Sequence, residues 1–161
     1  MIEPPGSGTI TDDDPRPDAW RRFIETSARV STAIDDELRA DADMSLSDYH
    51  VLLLLSEAPE HRLRMKELSQ RMVFSASRLT YQVDVMCRRG WLRRERAAED
   101  RRGSYACLTD DGAAAFRAAF DGHFQQVRRV FFDALTPDDG RSLATVMRTL
   151  ADHLDHLEDA G

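Results

Sequence analysis

Apolar positions recur along most of the chain at three- and four-residue steps, the period of an amphipathic helix. The first such pattern opens at Asp18 and carries Trp20, Phe23, Ile24, Val30, Ile34 and Leu38, with no Pro or Gly before Asp43. A second helix is expected from Ser45, whose hydroxyl and the Asp48 carboxylate suit a capping box; it carries Tyr49, Val51, Leu52 and Leu55 and stops at Pro59. Leu63 to Val73 reads as a short helix with Met65, Leu68 and Met72 on one face. After a break at Phe74-Ser75, Ser75 suits the N-cap of a helix from Ala76 to Arg89 that Gly90 ends.

The period then changes. Trp91 to Arg96 and Ser104 to Leu108 are short extended stretches around the polar loop Ala97 to Gly103, the pattern of a β-hairpin. Thr109 caps a further helix expected to run to about Ala134, with Gly112 and Gly122 as weak points. Thr136-Pro137-Asp138-Asp139 starts a last helix to about Leu157. Met1 to Pro17, with four prolines, two glycines and Asp12-Asp13-Asp14, reads as a disordered acidic tail. The order predicts a mainly α fold with a small β-hairpin wing: a winged helix-turn-helix plus a helical dimerisation region.

At 161 residues this is one domain with a tail, and 42% apolar content is ordinary for a globular protein. No leader pattern opens it, the longest apolar run, Val51 to Leu55, is too short to span a bilayer, and two cysteines fit a reducing compartment. A cytoplasmic protein with no membrane contact is expected. The net charge of −7 is unevenly placed: residues 1–60 carry −9, residues 61–106 carry +7 and residues 107–161 carry −5. A basic middle between acidic ends attracts polyanions despite the acidic total.

That basic middle holds the candidate reading surface. In the helix from Ala76, Leu79, Val83, Met86 and Cys87 fall on the packing side, while Ser77, Arg78, Tyr81, Val85 and Arg88 fall on the other. Ser, Arg and Tyr on the exposed N-terminal half suit base edges in the major groove, and Arg78 suits a bidentate contact to guanine. Ser75, Ser77 and Thr80 suit phosphate or capping roles. On the hairpin, Arg93, Arg94 and Arg96 lead to a tip of Asp100-Arg101-Arg102-Gly103, where two arginines suit a narrow minor groove and Asp100 suits an internal partner that aims them.

At these residues the chain resembles the MarR family of winged-helix transcriptional regulators. The similarity runs over Leu63 to Met72, Ser75 to Thr80, Val83-Asp84, Gly90 to Arg94, Glu99 to Gly103 and Leu108 to Gly112. It covers about residues 18–158, with a winged head at 62–108 and dimerisation helices at 18–44 and 109–158. The resemblance implies a homodimer on a short pseudo-palindrome of double-stranded DNA, acting as a repressor released by a small phenolic or other aromatic effector. It maps Asp100 and Arg102 onto the wing's acid–arginine pair and Ser75 to Gln82 onto groove contacts. Phe74 departs from the small or polar turn residue usual there, and Tyr81-Gln82 is a less common pairing.

The terminal helices supply their own motive for a dimer. Phe116, Phe120, Phe124, Val127, Phe131 and Leu135 form one apolar stripe, and Leu143, Val146, Met147, Leu150 and Leu154 another; one core would struggle to cover both. Trp20, Tyr49, His50 and His123 are candidates to line an effector cleft, against plain core packing for Trp20. Cys87 and Cys107 raise a thiol-based sensor, against small core residues. His153 and His156, with Asp152 and Asp155, have a spacing that can hold a metal, against a solvated helix face. A helical protein–protein module that ignores DNA is the remaining alternative. No catalytic triad order, Gly-rich phosphate loop or zinc signature occurs, so neither enzyme chemistry nor a cofactor is expected.

Overall fold

The computed structural model describes residues 13–97 and 103–159. Six α-helices and a three-stranded sheet make up this part of the chain: α1 (Arg16–Ala42), α2 (Leu46–Glu57), β1 (Arg62–Arg64), α3 (Met65–Met72), α4 (Ala76–Arg88), β2 (Leu92–Arg96), β3 (Ser104–Leu108), α5 (Asp110–Val130) and α6 (Pro137–Asp159).

Helix α1 begins two residues before the expected Asp18, so Arg16 and Pro17 belong to helix rather than tail. Pro17 falls in the first turn, where the missing N–H has no intrahelical role. The Asp14 carboxylate accepts from the Arg16 N–H at 2.9 Å and satisfies the helix start. Residues 1–12 of the expected tail lie outside the described residues. Helix α2 opens on a full capping box: Ser45 Oγ accepts from the Asp48 N–H and the Asp48 carboxylate accepts from the Ser45 N–H, both at 3.0 Å. Its apolar residues point several ways because the helix is central, with Val51, Leu52 and Leu55 all fully buried. Each such side chain contributes roughly 1.5–3 kcal/mol of burial.

The expected helix from Leu63 is shorter and preceded by a strand. Arg62–Arg64 forms β1, antiparallel to β3 in the register Leu63↔Ala106, and the sheet order is β1-β3-β2. Three residues are too few for a period of two to show in sequence. Pairing with the otherwise open edge of β3 decides their conformation, and buries Leu63. The hairpin itself pairs Leu92↔Leu108 through Arg96↔Ser104.

Helices α3 and α4 pack through Leu68, Leu79, Val83 and Met86, all at most 1% exposed. Between them Val73 adopts φ 52° and ends α3, with the Phe74 N–H donating to the Ser69 carbonyl at 3.0 Å. Ser69 Oγ donates back to the Phe74 carbonyl at 2.6 Å, so one serine holds both backbone polar groups of Phe74.

Behind the wing, Thr109 accepts from the Gly112 N–H at 3.0 Å and donates to the Gly90 and Trp91 carbonyls. Gly112 lies so close to the Trp91 carbonyl that a Cβ would sit 2.1 Å from its oxygen. Helix α5 ends four residues before the expected Ala134. Phe131 leaves helical geometry and a short 3-10 turn, Phe132–Ala134, leads to Thr136, which caps α6 through Asp139. Helices α1 and α5 pack together, and the buried Gln126 amide donates to the Ala33 carbonyl at 2.7 Å. None of the described α6 side chains is buried.

Candidate nucleic-acid interface

Helix α4 presents the face that its sequence suggests. Ser75 Oγ caps it by accepting from the Arg78 N–H at 3.3 Å and lies 3.2 Å from Ser77 Oγ. Ser75, Ser77, Arg78, Thr80, Tyr81 and Arg88 are all exposed, and Tyr81 keeps 68% of its surface. Arg96 is exposed at the end of β2, and Arg93 is exposed and paired with Glu95. Asp100, Arg101 and Arg102 lie outside the described residues.

Two of the expected DNA contacts, Gln82 on α4 and Arg94 on the wing, are engaged within the chain. Gln82 is half-buried, and its amide N–H donates to the Asp48 carboxylate, which is itself 6% exposed and shared with the Ser45 cap. A buried carboxylate needs every available donor, and Gln82 meets that need from α4. Arg94 donates to the Thr80 carbonyl at 3.2 Å and pairs with Asp84 at 3.0 Å. It ties β2 to α4 and so fixes the wing against the helix. Both side chains therefore have partners inside the chain, Gln82 half-buried and Arg94 exposed.

The Arg78 guanidinium stacks on the Phe74 ring at 3.7 Å from its centroid. A cation–π contact of this kind at an exposed site contributes about 0.5–1 kcal/mol. The departure at Phe74 is visible in the sequence; its pairing with Arg78 four residues on is a three-dimensional fact. Arg89 is used similarly, stacked on Trp91 at 3.7 Å and donating to the Asp43 carbonyl at 2.5 Å.

Of the four expected cleft residues, Tyr49 and His123 are in contact with His50 near them, and Trp20 lies against Phe23. Trp20 is 65% exposed against Phe23 at the N-terminal end of α1, so the core-packing reading of Trp20 does not hold. Tyr49 is buried, with its ring 4.1 Å from His123 and 5.1 Å from Phe116. Burial pushes the His123 pKa down, with the nearby His50 adding to the effect, and its Nδ1 is buried without a hydrogen-bond partner. His50, alone of the four, lines a cavity of about 700 Å³ between α1, α2 and α3, together with Asp35, Leu54, Arg71, Met72 and Phe74.

The cysteines are poorly placed for redox chemistry. Cys87 is half-buried and Cys107 buried, and burial pushes both thiols up, against a smaller opposing pull from Arg94 on Cys87 and from Arg93 and Arg62 on Cys107. His153 and His156 are exposed on α6, where His156 Nδ1 lies 2.5 Å from the Asp152 carbonyl oxygen. Among the described residues no group of three or more His, Cys, Asp or Glu is placed to hold a metal, and no helix is long and apolar enough to cross a membrane.

Known proteins share this arrangement. The MarR family model matches residues 42–103, from the end of α1 to the wing. AbsC, a MarR family transcriptional regulator from Streptomyces coelicolor, is 32% identical in sequence and superposes with a TM-score of 0.84, over 93% of this chain and 99% of that one. Sco3205, a MarR family regulator from the same organism solved in complex with DNA, is 36% identical with a TM-score of 0.85 over 92% of both chains. The transcriptional repressor YetL of Bacillus subtilis is 31% identical over 91 residues, 56% of this chain and 54% of its own. The match spans 54% of YetL and 66% of YkoM, an HTH-type transcriptional regulator of Bacillus subtilis. These relatives are regulators of transcription rather than enzymes, and the fold, the capped outward helix and the two near-full-length likenesses make this chain a member of the MarR family of winged helix-turn-helix transcriptional regulators.

Proposed function

We propose that this protein binds double-stranded DNA sequence-specifically as a homodimer in the cytoplasm, and represses transcription until a small aromatic or phenolic effector binds. The observation that carries the reading is the outward face of α4, where Ser77, Arg78, Tyr81 and Arg88 stand exposed on a helix that Ser75 caps and Arg94 ties to an arginine-bearing wing. Residues 62–108 form the reading head, with Arg96, Asp100, Arg101 and Arg102 as wing contacts. Residues 18–44 and 109–158 supply the dimer, and the segment before Arg16 is the acidic tail. Two heads bind half-sites roughly 34–36 Å apart, one turn of the duplex. The solved DNA complex of Sco3205 and the repressor role in the name of YetL support this reading.

The effector site is the cavity between α1, α2 and α3. Leu53, Leu54 and Met72 offer an apolar bed, and His50 and Arg71 offer polar partners for a carboxylate or phenol. Effector releases DNA only by its differential affinity for a state whose half-site spacing misses successive grooves.

Fluorescence anisotropy on duplexes from the protein's own upstream region tests the assignment. Affinity is expected to fall steeply with salt. Arg78→Ala is expected to relax base choice by roughly 1–3 kcal/mol at one position, and Arg101→Ala to weaken all sequences together with a shallower salt slope. Gln82→Ala is expected to leave base choice unchanged. Absence of duplex binding at low salt removes the reading in favour of a helical protein–protein module.

A further inference from the structure

Phe74 belongs to two places at once. Its ring lies under the Arg78 guanidinium at 3.7 Å, and the same residue lines the 700 Å³ cavity with Met72, Arg71 and His50. Its backbone cannot drift, because Ser69 accepts from its N–H at 3.0 Å and donates to its carbonyl at 2.6 Å, and Val73 before it is set in a left-handed turn. The ring is half-buried against the core while the guanidinium it carries is exposed.

We infer that Phe74 is a positioning residue that holds Arg78 in its base-reading pose and passes occupancy of the cavity to it. This rests on the reading of α4 as the base-reading helix. Arginine has many rotamers, and a planar guanidinium laid flat on a ring keeps its N–H edge free for a bidentate acceptor while its rotation is restricted. With the Phe74 main chain pinned, a molecule that fills the cavity displaces the ring by a side-chain rotation. That rotation removes the surface on which Arg78 rests. The effector and the read base are thereby coupled through one side chain, with no contact between them.

The test uses the full-length protein on duplexes selected from a randomised pool, with affinity measured for each single base-pair change. Arg78→Ala identifies the base pair that Arg78 reads. Phe74→Leu is expected to lose roughly tenfold in discrimination at that same pair and at no other, with the salt slope unchanged because no phosphate contact is removed. Phe74→Tyr keeps the ring and is expected to keep the discrimination; Phe74→Met replaces Phe74→Leu if circular dichroism shows the latter unfolded. In the Arg78→Ala background, Phe74→Leu is expected to add no further loss at that pair. Leu54→Trp, which fills the cavity without touching Phe74 in sequence, is expected to reproduce the loss. Discrimination retained at the Arg78-dependent pair in Phe74→Leu and Phe74→Met overturns the positioning role, and discrimination retained in folded Leu54→Trp overturns the coupling. A wild-type protein with no base preference at all overturns the reading of α4 and this inference with it.

Discussion

Gly112 illustrates how one residue sets the junction between wing and helical body. In an isolated helix glycine is a cost of about 1 kcal/mol relative to alanine. Here a Cβ would sit 2.1 Å from the Trp91 carbonyl oxygen and 2.9 Å from Leu108 Cδ1, so the first turn of α5 approaches the backbone too closely for any side chain. Gly112→Ala is expected to destabilise the fold by on the order of 3 kcal/mol, since backbone on both sides must move. Urea denaturation followed by circular dichroism reads this as a lower midpoint at unchanged slope. His123 is costly in a different way. Its burial beside Tyr49 lowers its pKa, so the unfolded chain binds the proton more readily. Small-cavity neighbours Glu37 and Asp41 on α1 and the nearby His50 on α2 do not reverse that direction. Stability is therefore complete above the free imidazole value of about 6.5 and falls as pH drops through the window beneath it. Thermal melts of wild type and His123→Phe are expected to diverge in slope between pH 7.5 and 5, with the variant losing less on acidification.

The element scale separates what local sequence dictates from what packing dictates. Capped helices were legible because their signals are local: Ser45 with Asp48, Ser75, Thr109 and Thr136 all act within three residues of themselves. β1 was not, because only the β3 edge makes Arg62–Arg64 a strand. The outward face of α4 follows from its period, yet Gln82 and Arg94 look in sequence like groove contacts and are engaged by Asp48 and Asp84, residues 34 and 10 positions away. Cross-element ion pairing leaves no periodic trace. The cleft residues divide for the same reason, since Tyr49 and His50 are adjacent in sequence and the helix turns one toward His123 and the other toward the cavity against α3. Between α3 and α4, Val73 holds a left-handed φ of 52° while 89% exposed. A β-branched residue pays about 1–2 kcal/mol for that conformation and gains no packing in return. Val73→Asn, which adopts the same φ more readily, is expected to raise stability by about 1 kcal/mol, seen as a higher melting temperature.

At the scale of the whole molecule, the single chain leaves a long apolar face exposed. Helix α6 leaves Val146, Leu150, Leu154 and Leu157 between 45% and 59% exposed, and Phe120, Phe124 and Phe132 on the preceding segments are exposed to a similar degree. Phe23, Val30, Phe131, Leu135 and Met147 meanwhile line an apolar cavity of about 530 Å³ between α1 and the last two helices. Contiguous apolar surface of this extent marks an interaction face rather than a solvated one. A second copy of the chain is the occupant the proposed function requires, because one head reads too few bases for specific binding and two linked heads gain through effective concentration. Charge placed in that stripe is expected to act on assembly, since none of the described α6 side chains is buried. The Leu150→Glu, Leu154→Glu double variant is expected to keep its helical content and sediment as a monomer. Its affinity for a full pseudo-palindrome is expected to fall roughly a hundredfold or more, the loss of bivalence. Affinity for an isolated half-site is expected to stay as in wild type, and a parallel fall there would instead locate the damage in the head.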